Sequence, residues 1–217
     1  MSYLLRRLAR AVLLLLLASV FCFLLTTLAP GSFFDELRMN PQVSPETVAG
    51  LRTQYGLDRP LVTRYWMWLK SAASGDFGYS LAYNAPVRPL VLARARNTLL
   101  LTATATLLAW LLAVPLGVWA AVRRRGWADR AVTGGSSLML SVPEIALALT
   151  ALALAARTRA LPVGGMLSAG FDDFSFWHKI ADIAAHLVIP ASVLALGSVA
   201  IFVRHVRSSV LEVLEAP

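Results

Sequence analysis

Four apolar stretches set the terms on which this chain can fold. Residues 11–29, 97–122 and 183–203 contain no Asp, Glu, Lys or Arg, and residues 131–156 contain only Glu144. A helix that crosses the ~30 Å hydrocarbon core of a bilayer needs about 20 mostly apolar residues. In lipid every backbone polar group has to find its partner within the protein, so such stretches cross as helices. The expected fold class is an all-α polytopic membrane protein with four transmembrane helices. The composition agrees: 58% of the residues are hydrophobic and 15% charged, where soluble domains run at roughly 45–50% and about 25%.

The charges lie between the apolar stretches. The net charge is +8, but no basic stripe alternates with exposed aromatics, so nucleic acid is not an expected partner. Short loops rich in Lys and Arg stay in the cytoplasm. Arg6, Arg7 and Arg10 precede the first stretch, Arg123, Arg124, Arg125 and Arg130 follow the second, and Arg204 and Arg207 follow the last. If four helices alternate, all three groups lie on one side, with the N-terminus and the tail cytoplasmic. The link 157–182 then lies outside, as does the long segment before the second helix. The run 11–29 exceeds the roughly 7–15 residues of a signal-peptide core, so it reads as an uncleaved anchor. Cys22, the single cysteine, excludes an internal disulfide and a cysteine metal cluster.

The outer segment carries helix signals. In "SPETVAGLRTQYG" Ser44 suits an N-cap, Pro45 a first helical position and Gly56 a stop. "LDRPLVTRYWMWLKSAASGDFG" repeats the scheme, with Asp58 as the expected cap and Pro60 as the start. Tyr65, Trp66 and Trp68 fit either an interfacial aromatic belt or a docking platform for an outer partner.

The residues of the usual enzyme motifs are missing. His178, His186 and His205 stand in no ligand pattern such as H-E-x-x-H, no G-x-S-x-G elbow occurs, and neither Lys70 nor Lys179 follows a Walker glycine run. No catalytic, metal or cofactor site is expected, and a membrane enzyme or a non-transport scaffold is the rival reading. Within the membrane, Pro115, Pro143 and Pro190 are expected to interrupt their helices, since proline removes a backbone hydrogen bond. Glu144, beside Pro143 and midway along its run, is costly at that depth unless it faces water or a partner. It is a candidate pathway residue with Pro143, or a protonated structural glutamic acid. The tail "VRSSVLEVLEAP" has an apolar stripe, Val206, Val210, Val213 and Leu214, at helical spacing.

Several longer stretches match something specific. "YLLRRLARAVLLLLLASVFCFLLTTLAPG", "LRTQYGLDRPLVTRYWMWLKSAASGDFGYS", "RNTLLLTATATLLAWLLAVPLGVWAAVRRRGWADR", "SVPEIALAL" and "LVIPASVLALGSVAIFVRHVRSSVLEVLE", in this order, resemble the inner-membrane permease subunit of dipeptide/oligopeptide/nickel-type ABC importers. The resemblance covers nearly the whole chain. It implies the type I ABC importer transmembrane fold, with four of a probable six helices present. The implied organisation is a cytoplasmic stub and first helix over 1–29 and an extracytoplasmic segment with short helices over 30–94. A C-terminally truncated permease domain over 95–217 follows, with helices near 97–122, 131–156 and 183–203 and the start of a coupling region at 204–217. Val206, Val210, Val213, Leu214 and Glu215 become candidate ATPase-coupling residues, and Tyr65, Trp66 and Trp68 candidate outer docking residues. The implied partners are a second permease subunit, two cytoplasmic ATP-binding subunits, an extracytoplasmic solute-binding protein and the lipid bilayer. ATP hydrolysis falls to the separate subunit, and the substrate is a peptide or, in the alternative, nickel or another small solute. The expected place is the bacterial inner membrane.

Overall fold

The computed structural model describes residues 2–29, 31, 38 and 44–216. Residues 30, 32–37 and 39–43 of the expected outer segment, and Pro217 of the expected coupling region, lie outside the described residues. In chain order the helices are α1 (Ser2–Leu28), α2 (Pro45–Gln54), α3 (Leu61–Ala73), α4 (Val87–Val122), α5 (Trp127–Ser141), α6 (Glu144–Thr158) and α7 (Phe176–Leu214). A two-residue antiparallel pair, β1 (Tyr79–Ser80) with β2 (Ala85–Pro86), precedes α4, and a 3-10 turn at Phe171–Asp173 precedes α7. The chain is an all-α polytopic protein. Among the described residues α1, α4 and α7 are long and apolar enough to cross a membrane, and α5 with α6 makes a fourth candidate if counted as one bent span.

The chain forms two compact units, Met1–Ala93 and Arg94–Pro217. In the first, Ser44 caps α2 by accepting from the Thr47 N–H at 3.2 Å. Asp58 does not cap α3, and Pro60 precedes that helix instead of opening it. The Asp58 carboxylate is already engaged: it accepts from the Thr53 hydroxyl at 2.7 Å and stands 4.0 Å from Arg52.

In the second unit α4 and α7 meet along small side chains. Ala105, Ala109, Ala113, Gly117 and Ala121 recur every fourth residue of α4 and are all buried. On α7 Leu187, Ala191, Ala195, Val199 and Val203 do the same. Side chains four apart form ridges that interdigitate between helices, and small residues let the backbones approach. Ala109, Ala113, Ala195, Val199 and Val203 form the core, with Leu116, Val132 and Phe202 packed on it. Trp110 stacks on Phe202 with ring centres 4.7 Å apart. The approach is closest at Gly117, where an added Cβ would lie 2.8 Å from the Val206 side chain and 3.0 Å from the Val203 carbonyl oxygen.

Two expectations about prolines are corrected. α4 runs through Pro115 and α7 through Pro190 without interruption, because buried turns on either side hold each helix to its neighbour. The run 131–156 is not one helix, so Glu144 is not in the middle of one. α5 ends at Ser141, α6 starts at Glu144, and the two are bent by 87°.

Candidate functional site

The break is local backbone chemistry. A residue before proline is pushed out of the helical region, and Val142 is extended, with φ −90° and ψ 123°. Pro143 serves as the cap residue of α6; its carbonyl accepts from the N–H groups of Ala146 and Leu147 at 2.9 and 3.2 Å. Glu144 thereby becomes the first residue of a helix, at the end whose free N–H groups form the positive pole of the helix dipole. Its side chain is exposed. The carboxyl group lies 3.8 Å from where a Cβ on Gly197 of α7 would stand.

Glu144 lines a cavity of about 670 Å³ whose wall is otherwise mostly apolar, including Leu101, Ile145, Ala148, Pro190, Val193 and Leu194. The other titratable side chain in the wall is His186, buried to 7% exposure. Its Nδ1 lies 2.8 Å from the Asp182 carbonyl oxygen, which only accepts, so Nδ1 carries the proton. The Asp182 carboxylate in turn accepts from the Ser168 N–H at 3.0 Å and the Ser168 hydroxyl at 2.5 Å. That tie fastens the loop after α6 to α7. Gly164 and Gly165 of the same loop line the cavity.

A second cluster lies at the end of α7. The turn between α4 and α5 places Arg125 in the left-handed region at φ 62°, and Gly126 fits there because a Cβ would meet the Arg123 carbonyl oxygen at 2.9 Å. Trp119 and Trp127 pack edge to face across the turn at 5.3 Å. Asp129, in the first turn of α5, accepts the Arg125 N–H at 2.9 Å. It also takes the Arg207 guanidinium on both oxygens, from Nε at 2.6 Å and Nη2 at 2.9 Å. Asp129 precedes the apolar run 131–156 and Arg207 follows the run 183–203, so the pair lies outside both stretches. The Arg207 bond, then the Arg125 N–H, holds the Asp129 carboxyl down at about 2, below its ordinary 3.8. Arg204 donates to the Ser137 hydroxyl at 2.9 Å, and Arg124 pairs with Glu215.

The candidate coupling residues therefore divide. Val206 is turned onto Gly117 and Val210 is half-buried, so this part of the apolar stripe already has a partner inside the chain. Val213 and Leu214 are exposed, and Glu215 is held by Arg124. Asp129 and Gly117 do not stand out in the sequence, and Arg124 stands out there only as one of the basic residues of the link. A lone Asp after "RRRGWA" carries no spacing signal, and its partner lies 78 residues away. The aromatic candidates also divide. Tyr65 donates to or accepts from the Ser19 hydroxyl of α1 at 2.8 Å, and its ring meets Phe23 edge to face at 5.4 Å. Trp68 lies 6.4 Å from the same ring, whereas Trp66 is 67% exposed. Among the described residues no group of three or more His, Cys, Asp or Glu could hold a metal ion.

Comparison with known proteins decides the family. Residues 1–102 match the N-terminal membrane component of binding-protein-dependent transport systems, and residues 113–217 match the inner membrane component of the same systems. The chain belongs to this family. It is similar to a Brucella ovis protein provisionally named a peptide permease, with 37% identity over 99% of this chain and 66% of that protein. It is 33% identical to the oligopeptide transport system permease protein AppB of Bacillus subtilis, over 98% of this chain and 66% of that one. It is 31% identical to the glutathione transport system permease protein GsiC of Salmonella typhimurium, over 99% and 65%. The chain thus spans slightly less than two thirds of the length of these relatives. As a family member it is a multi-pass inner-membrane subunit of a transport system.

Proposed function

We propose that the chain is the permease subunit of an ATP-driven, binding-protein-dependent importer of di- and oligopeptides. The observation that carries this reading is the end-to-end match to relatives named as peptide, oligopeptide and glutathione permeases. The fold supports it at a specific place. Discontinuous helices build substrate sites in many transporters, because their free ends bring polar groups into the membrane interior. In support of this reading, Pro143 and Glu144 stand at the α5–α6 break, and Glu144 is in the wall of the 670 Å³ cavity.

In this reading the chain forms half of the pathway and a second permease the other half. An extracytoplasmic binding protein delivers the peptide, with Trp66 among the exposed aromatics of the outer segment. Two cytoplasmic ATP-binding subunits engage the end of α7, where Val213 and Leu214 are presented, and nucleotide-driven closure rocks the helices between outward and inward access. The N-terminus and the α7 end are cytoplasmic, residues 1–29 form the anchor, 30–94 the outer segment and 95–217 the permease domain.

The test is peptide uptake by the complete transporter with Glu144→Gln. Uptake is expected to fall while the amount of protein stays near normal. A silent Glu144→Gln, or Glu144→Leu tolerated better than Glu144→Gln, retires Glu144 as a pathway residue.

A further inference from the structure

The end of α7 is held from three directions by one elbow of the chain. Val206 sits on Gly117 of α4 with no room for a methyl group between them. The next residue, Arg207, is gripped on two prongs by Asp129 of α5, at 2.6 and 2.9 Å. Two turns on, Glu215 is held by Arg124 from the turn joining α4 to α5. Asp129 is in turn fixed by the Arg125 N–H and, at 3.4 Å, by the Thr133 hydroxyl. A two-pronged guanidinium–carboxylate bond sets direction as well as distance, which a hydrophobic contact at this position would not.

We propose that Asp129 is a positioning residue for energy coupling: through Arg207 it locks the end of α7 to the α4–α5 elbow, so that a displacement applied to residues 208–215 moves α4, α5 and α7 as one body. The proposal rests on the importer reading above and adds the route by which motion enters the bundle. Without the lock, α7 beyond Val206 is left to the exposed Arg124–Glu215 pair and the half-buried Val210, and a push on it is absorbed by bending or fraying. The lock is permanent in this scheme; it does not open during the transport cycle.

The experiment uses the complete transporter in liposomes, with the whole permease chain and its partner subunits, on a cysteine-free background. Asp129→Ala is expected to keep ATPase recovery and basal hydrolysis, while peptide taken up per ATP hydrolysed falls roughly 2- to 30-fold, the range for residues that carry coupling between sites. Arg207→Lys keeps the charge but not the two-pronged bond, so it is expected to lose uptake in the same direction with normal recovery. This variant also keeps the test decisive should Asp129→Ala fail to fold. The paired variant Asp129→Cys with Arg207→Cys is expected to be uncoupled until a short thiol crosslinker joins the two sites, and coupled afterwards. A purely structural role cannot produce that recovery in protein already folded. Wild-type coupling in Asp129→Ala or Arg207→Lys overturns the proposal. So does a crosslink that leaves the paired variant uncoupled, since the two sites would then have to separate during the cycle. Failure of the importer reading looks different: the unaltered transporter would neither take up peptide nor retain its ATPase.

Discussion

Pro143 and Pro190 each stand in a run of apolar residues, yet the chain turns by 87° at one and continues as a helix through the other. Both remove a backbone N–H and crowd the preceding turn. The difference lies in what surrounds them. Around Pro190, His186, Leu187, Ala191, Val193 and Ala195 are buried. A kinked α7 would lose those contacts, and they outweigh one missing hydrogen bond. Around Pro143, residues 137–146 are all exposed, so nothing opposes the extended conformation that Val142 prefers. Pro115 follows the same rule: it is itself exposed, but buried Ala113 and Gly117 flank it and α4 continues. Proline proposes a break, and packing within a turn on either side decides whether it happens.

Removing the packing has the largest expected effect. Gly117→Leu places a side chain where even a methyl group would stand 2.8 Å from Val206, so α4 and α7 must part. Overpacking of this kind costs about 1–3 kcal/mol. The expected outcome is a clearly lowered Tm in detergent together with loss of helical signal as α7 frays beyond Pro190. An unchanged Tm would show that the α4–α7 seam does not hold α7 straight.

Exchanging the prolines themselves has a smaller expected effect. In a Cys22→Ser background, spin labels at Ser137 and Leu154 should lie about 18 Å apart across the bend, and about 25 Å apart if the helix runs on at 1.5 Å per residue. Pro143→Ala is expected to move the population toward the longer distance, because an exposed alanine has no reason to stay extended. Pro190→Ala, with labels one helix length apart on α7, is expected to leave the distance unchanged. A bend that survives Pro143→Ala would place its cause in tertiary contacts instead of the proline.

The smallest effect concerns pH. Asp129 is held at about 2 in the folded chain against an ordinary 3.8. A depressed carboxyl contributes stability that is fully present above its unfolded value and lost as pH falls through the folded one. The Tm difference between the unaltered chain and Asp129→Asn should therefore be flat from about pH 5 to 8 and shrink between about pH 4 and 2. A difference that changes near neutral pH would assign the stabilisation to another group.

Several features were legible in the sequence because they depend on composition along short windows. The apolar stretches, the capped α2 with Ser44 and Pro45, and the family pattern are of this kind. The amphipathic tail was legible as a helix, but its partners were not. The sequence offered Val206 and Val213 as equivalent members of one stripe. Only the fold half-buries the first against Gly117 and leaves the second exposed, because Gly117 of α4 lies beside one and not the other. The same holds for Tyr65 and Trp66, neighbours in sequence, of which only Tyr65 meets α1.

What the sequence determined by itself is the solvent each segment prefers and the helical state that follows, since a charge-free run of about 20 residues satisfies its backbone in lipid within itself only as a helix. What only the tertiary structure decided is where those helices break and which polar groups meet. Whether a proline kinks depends on contacts made by residues on another helix. The Asp129–Arg207 bond joins positions 78 residues apart, and no local propensity encodes a meeting that exists only once α5 and α7 lie side by side.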